Sequence, residues 1–187
     1  MSKILNFLTF ALIALLLLAN PATANITVSI EPLESKYVGD TFEIKVMVYP
    51  DGEPIAGMQL NLEYDSSRVT INNISQGTLL TSFDTFFVVG TNEFNMVENI
   101  YSAVLGPNSV TAVGDFITIN VTALSKGPAK FEISNVVISS PEGDAMPLDI
   151  FNMHMAVIEY PAYDTNRDGV VNIQDIVYVA QHFNMYV

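Results

Sequence analysis

Residues 41–49 read TFEIKVMVY. Phe42, Ile44, Val46 and Val48 fall on one face, and Thr41, Glu43, Lys45 and Met47 on the other. A period of two marks a strand with one face in a core and the other in water. The same alternation runs through Met58–Tyr64. There Met58, Leu60, Leu62 and Tyr64 are expected inward, and Gln59, Asn61 and Glu63 outward. It recurs in Phe116–Ala123, with Ile117, Ile119, Val121 and Ala123 inward against Thr118, Asn120 and Thr122. Further strands are expected at Ile26–Ile30, Val69–Ile71, Phe86–Val89, Ile100–Leu105, Lys130–Ile138 and Met153–Ile158. Turn signals separate them: Gly39-Asp40, Asp51-Gly52, Gly106-Pro107-Asn108, Gly127-Pro128 and Glu142-Gly143-Asp144. About nine short strands with no helical pattern between them predict a mainly β chain, an antiparallel β-sandwich.

The pattern breaks at Glu159-Tyr160-Pro161-Ala162, which places a boundary near Pro161 and divides the chain into 25–160 and 161–187. Residues 164–175 then read DTNRDGVVNIQD. Calcium is a hard cation that takes about six to eight oxygen ligands, and an EF-type loop supplies them from places 1, 3, 5, 7, 9 and 12. Those places hold Asp164, Asn166, Asp168, Val170 through its carbonyl, Asn172 through water, and Asp175. Gly169 stands at place 6, where the chain turns sharply, and Val171 at the apolar place 8. The competing reading is a polar turn that merely starts a helix. Aspartate at place 12 is one methylene shorter than the usual glutamate, and only three ligands are charged. Both favour modest affinity, toward the roughly 10⁻⁴–10⁻³ M of extracellular modules. Beyond the loop, Ile173, Ile176, Val177, Ala180 and Phe183 recur at three- and four-residue spacing, which predicts one amphipathic helix of about ten residues. Pro161 leaves no room for an incoming helix. A lone loop and helix cannot bury its own apolar stripe, so Ile176, Val177 and Phe183 are candidate partner contacts.

The N-terminus has its own signature. Lys3 precedes an apolar run, Ile4–Ala19, and Ala22-Thr23-Ala24 supplies small residues before Asn25. That reads as a secretory signal peptide over 1–24, too short to be a comfortable membrane span. No later stretch is apolar for long enough to cross a membrane. The expected location is secreted, extracellular or at the cell surface. The chain carries 20 acidic and 7 basic residues, a net charge of −13, and removal of Lys3 takes it to −14. Nucleic acid requires a basic footprint and is excluded as a partner. Absence of cysteine excludes thiol catalysis and cysteine-bound zinc. No nucleophile elbow, phosphate loop or zinc helix occurs, and the chain reads as a non-enzyme. His154 and His182, the two histidines, have no acid at triad or ligand spacing and read as structural.

The segment DTNRDGVVNIQDIVYVAQHF resembles one repeat of a type I dockerin. The preceding segments VGDTFEIKVMV, IAGMQLNLEYDSSRVTI, GDFITINVTAL and KGPAKFEISNVVISSPEG resemble, in order, those of a cohesin, the receptor of dockerins. The resemblance implies a nine-stranded jelly-roll sandwich and a calcium-dependent, non-catalytic scaffold. Such a scaffold would assemble cell-surface or polysaccharide-degrading complexes with dockerin- or cohesin-bearing proteins, or by self-association. It also implies a docking face that includes the third strand, and hence Gln59, Asn61 and Glu63. Gln59 stands where some cohesins place an acid. Dockerins normally carry two repeats, and this chain shows one.

Two other readings compete. One is a carbohydrate-binding module, which would need a row of aromatics. There is no Trp, and Tyr49, Phe86, Phe87 and Tyr101 mostly alternate with core positions, so they are read as core residues and not as a binding row. The other is a surface adhesion component in which calcium only staples the C-terminus. Three sequons, at Asn25, Asn73 and Asn120, offer glycan sites. Asn73 is expected in a loop and Asn120 outward on its strand.

Overall fold

The computed structural model describes residues 25–31, 34–151 and 154–183. The proposed leader over 1–24 lies outside the described residues, as does Met153 at the head of the last expected strand. Among the described residues there are twelve strands and one helix. The strands are β1 (Ile26–Ile30), β2 (Lys36–Tyr37), β3 (Thr41–Tyr49), β4 (Gly57–Tyr64), β5 (Val69–Gln76) and β6 (Thr85–Val88). They continue with β7 (Asn92–Glu93), β8 (Met96–Val104), β9 (Gly114–Ala123), β10 (Gly127–Ser139), β11 (Leu148–Phe151) and β12 (His154–Glu159). The helix, α1, spans Ile173–His182.

One sheet runs β11-β1-β3-β9-β5, and the other β2-β12-β10-β4-β8-β6, with β7 paired to β8. Between them lies the core. Phe42, Ile44, Val46 and Val48 of β3 are all buried, as the period of two requires, and so are Ile117, Ile119 and Val121 of β9. They face Met58, Leu60 and Leu62 of β4 and Phe131, Ile133 and Ile138 of β10 across the sandwich. Each such Leu, Ile or Phe contributes about 1.5–3 kcal/mol on burial. A chain without cysteine depends on that term.

Nine of the strands are the expected ones, and three departures concern edges. β2, β7 and β11 are short and carry no alternation long enough to read. Two pairings are parallel, β1 with β11 and β12 with β2. The antiparallel expectation therefore holds for the interior of both sheets and fails at two edges, those of β11 and β2. β5 continues beyond Ile71 to Gln76, so Asn73 lies in a strand and not in a loop. Its register partner on β9 is Asn120.

A polar strap closes one end of the sandwich. The Thr78 N–H and hydroxyl both donate to the Asp115 carboxylate, and the Thr118 hydroxyl donates to its other oxygen at 3.1 Å. Burial pushes the Asp115 carboxyl up, but the Thr78 and Thr118 hydrogen bonds outweigh it and leave it below the usual aspartate range. A second link joins the sheets. Gln76 on β5 donates to the Thr85 hydroxyl at 2.9 Å and the Ser102 hydroxyl at 3.1 Å, and Ser102 donates to the Phe86 carbonyl at 2.9 Å.

Candidate docking face and calcium loop

Antiparallel register assembles the first candidate site. Val137 of β10, Gln59 of β4, Tyr101 of β8 and Val88 of β6 are successive register partners, so their side chains form one row on the outer face. Beside that row, Phe86 lies opposite Ala103 and meets the Tyr101 ring edge-on, centroids 5.7 Å apart. Phe86 is 43% exposed. The core reading of Phe86 is therefore wrong: it sits at an edge strand, where one neighbour fewer covers it. Phe87, the next residue, does pack on the core. Tyr49 is exposed on β3 of the other sheet, away from Phe86 and Tyr101.

Toward one end the same face becomes acidic. Glu63 and Glu132 are direct register partners, an arrangement that costs stability unless compensated. Lys130 pairs with Glu132 at 2.5 Å, and the Ser134 hydroxyl donates to Glu63 at 3.2 Å. Phe94 stands over this end. It is 95% exposed in a tight turn where it and Asn95 both have positive φ, +48° and +69°. Glu63, Phe94, Lys130 and Glu132 line a cleft of about 430 Å³.

Of the three residues assigned to the docking face, Gln59 and Glu63 are exposed there. Asn61 is not available. It lies on the outward phase but is 7% exposed, because β8 bulges beside it between Leu60 and Leu62. Asn99, at φ +56°, donates its N–H to Asn61 Oδ1 at 3.0 Å. The bulge closes over the amide and makes it a structural plug. Phe86, Tyr101, Val137 and Phe94 were not legible as face residues, because strand alternation does not show which positions an edge or a bulge uncovers.

The sequon side chains lie on the other sheet. Asn73 is exposed. Asn120 is partly covered, and its Oδ1 accepts from Asn72 Nδ2 at 2.8 Å within a ladder that also includes Thr122 and Thr41.

The loop 164–175 is organised around two buried carboxylates, Asp164 (4% exposed) and Asp175 (3%). Asp164 accepts the N–H groups of Asp168 at 3.1 Å and Gly169 at 2.8 Å. Asp175 accepts those of Thr165 and Asn172, each at 2.7 Å, and of Asn166 at 3.3 Å. These bonds, the one from Asn172 foremost, hold the Asp175 carboxyl below the usual aspartate range. Asn166 Oδ1 and Asp168 Oδ1 accept the N–H groups of Asp168 and Val170. Asn172 caps α1 through a bond from Gln174 N–H at 2.7 Å, and with Asp175 it forms a capping box. Gly169, at φ +91°, lies so close to the sandwich that a Cβ there would meet Val38 at 3.1 Å.

The donor set fits a hard cation in kind: three carboxylates, two amide oxygens and the Val170 carbonyl within twelve residues. Among the described residues neither Asp164 nor Asp175 has a basic side chain as a counter-charge, and buried carboxylates call for one. The three carboxylates are nevertheless not gathered into one cluster, and Asn166 Nδ2 donates to Asp168 Oδ2 at 2.8 Å. The helix follows the expected bounds. Ile173, Ile176, Val177 and Phe183 are all exposed, Phe183 at 78%, and Asp175 is the buried residue of α1. His182 stacks on Tyr178, centroids 4.2 Å apart. Val171, the expected apolar anchor, is also exposed.

The Cohesin domain family matches residues 26–145. Among solved structures, a non-cellulosomal cohesin from the hyperthermophilic archaeon Archaeoglobus fulgidus superposes with a TM-score of 0.59 at 13% identity, covering 79% of this chain and 100% of that one. A chain of a type I cohesin–dockerin complex from Clostridium thermocellum gives 0.62 at 16% identity, covering 76% and 99%. The cohesin module of a Clostridium perfringens family 33 glycoside hydrolase gives 0.61 at 18%, covering 74% and 100%. No curated protein sequence matches the chain. The family match ends before β12, whereas the second sheet continues through β12 to Glu159. Among the described residues no helix is long and apolar enough to cross a membrane.

Proposed function

Because this chain belongs to the cohesin family, a family of non-catalytic interaction modules, we propose that it is an exported adaptor that receives a dockerin on the outer face of β10, β4, β8 and β6. The observation that carries this reading is the composition of that face. An uncharged centre of Phe86, Tyr101, Val88 and Val137 surrounds Gln59, and an acidic end is set by Glu63 and Glu132. Aromatic anchors inside a polar rim are the anatomy of a protein-binding surface. Solved relatives include cohesins in complex with dockerins. The leader pattern over 1–24 supports export, and Asn73, exposed on its strand, is the better placed sequon.

Calcium belongs to the same reading. Asp164, Asn166, Asp168, Asp175 and the Val170 carbonyl would hold it, with Asn172 acting through water because its own oxygen caps the helix. The ion would supply the missing counter-charge to two buried carboxylates and so fix α1. A staple confined to the C-terminus is favoured by one observation, the approach of Gly169 to Val38, where an added Cβ would come within 3.1 Å. Under that alternative the tail would only stabilise the chain.

Calorimetric titration of the leader-free protein with a panel of two-repeat dockerins tests the proposal. One or more should bind, and Phe86→Ala and Tyr101→Ala should each weaken binding by about tenfold or more without lowering the melting temperature. Retention on insoluble polysaccharide with no dockerin binding would replace the adaptor by a carbohydrate-binding module.

A further inference from the structure

Helix α1 carries a single charged residue, Asp175, and that residue is buried against the loop. At about 100° per residue, Val179, Phe183, Ile176, Ala180, Ile173 and Val177 spread over an arc of about 160°. Every one of them is exposed. Beside the arc, Tyr163, Val171, Ile176 and Val179 wall an apolar groove of about 450 Å³. One short unit thus presents both a groove and projecting side chains, Phe183 foremost. The capping box and the Asp175 bonds to Thr165 and Asn172 tie loop and helix into one body.

We propose that this loop–helix pairs with the loop–helix of a second copy of the chain, about a two-fold axis passing close to Ala180. Charge selects the occupant. The chain carries −13, so two copies repel over most of their surfaces. The arc is an uncharged patch on which identical surfaces meet without opposing carboxylates. Shape agrees, because an isologous contact places the same patch on both partners, and a unit with its own groove and its own ridge is self-complementary. The sheet face of a second copy is the competing host. Its centre of Phe86, Tyr101, Val88 and Val137 is uncharged as well, but Glu63 and Glu132 at its end find no opposite charge on the arc. The size of the patch sets the strength. A ten-residue helix is about 15 Å long, and such a pair buries less than the roughly 800 Å² per partner of a standard interface. The dimer is weak and concentration-dependent. The inference does not rest on dockerin binding by the sandwich, and the two stand or fall separately.

Sedimentation velocity of the leader-free full chain, with calcium chloride and with a chelator, reads the pairing directly. A reversible dimer with a Kd on the order of 10–100 µM is expected in calcium, and Ile176→Asp should abolish it while leaving any dockerin titration unchanged. The chain has no cysteine, so single thiols report geometry. On mild oxidation Ala180→Cys should form a disulfide with itself about tenfold faster or more than Gln174→Cys, which lies outside the arc. Three results would overturn the proposal. They are a monomer at every concentration, a dimer that survives Ile176→Asp, or Ala180→Cys joining a Phe86→Cys chain in preference to its own kind.

Discussion

The Asp175 carboxylate accepts the backbone N–H of Thr165 at 2.7 Å across ten residues of chain, and so closes the loop from its far end. Its other oxygen accepts the Asn172 N–H at 2.7 Å. The residue at place 12 of the loop therefore already has a structural task besides any metal.

That task has a pH dependence. The hydrogen bonds from Asn172, Asn166 and Thr165 depress the Asp175 pKa in the folded chain. A group whose folded pKa is lowered contributes fully above its unfolded value and loses that contribution as pH falls through the folded one. Protection of the 164–183 amides, taken relative to their intrinsic exchange at each pH, should therefore fall once pH drops below the usual aspartate range, while amides of β3 and β9 stay protected. Asp175→Asn should already show low protection in 164–183 at neutral pH and little further loss in acid. Protection of the loop that is equal at both pH values in the unaltered chain would refute the closure.

Calcium should slow the same exchange. An ion that binds only the folded loop stabilises it by linkage. Asp168→Ala should lower calcium affinity by at least about tenfold, read by calorimetry. The sandwich melting temperature should not move, because among the described residues the hydrogen bonds of Asp168 run to Asp164, Asn166 and Val170 of its own loop.

Gly77 lies against the Asp115 strap. A Cβ at Gly77 would come within 2.2 Å of the Asp115 carbonyl oxygen, far inside van der Waals contact and against backbone that cannot swing aside. Gly77→Ala should cost about 2–3 kcal/mol, visible as a lower midpoint in urea with an unchanged slope. A loss below about 0.5 kcal/mol would mean that the end of the sandwich yields more easily than the strap implies.

Gln76 joins β5 to β6 and β8 through Thr85 and Ser102. Gln76→Leu removes both bonds and leaves two hydroxyls to find other partners, at about 1–2 kcal/mol. Because Ser102 also holds the Phe86 carbonyl, the substitution should weaken dockerin binding as well as stability. A shift in melting temperature alone would detach Gln76 from the docking face.

How much of this was legible differs from residue to residue. Phe42, Ile44, Val46 and Val48 were plain, because a strand buried on one face must alternate, and the bulge opposite Val46 and Met47 lies on β9 and leaves their phase intact. The sharp turn at Gly169 and the helix that follows it were plain as well, since both are marked within one continuous stretch. Asn61 was misleading. Its phase said outward, and a bulge on a neighbouring strand covered it. Phe86 misled in the opposite sense, since a phase shared with apolar neighbours says nothing about standing at an edge. Asn73 was lost to an early strand end, because TINNIS lacks the apolar alternation that marks a strand and is held in place by β9 instead.

By itself, the sequence determined the sandwich class, the order of the long strands, the twelve-residue loop and the ten-residue helix. These follow from local periodicity and from the turn and capping residues Gly169 and Asn172, which are properties of contiguous residues. Only the tertiary structure decided which side chains make a surface. It set Gln59 between Val137 and Tyr101, brought Glu63 opposite Glu132, sealed Asn61, and left the arc of α1 facing water. Those outcomes depend on strand neighbours, bulges and edges far apart in the chain. No local pattern encodes such pairings, because they come from the register in which distant segments bury their apolar faces together.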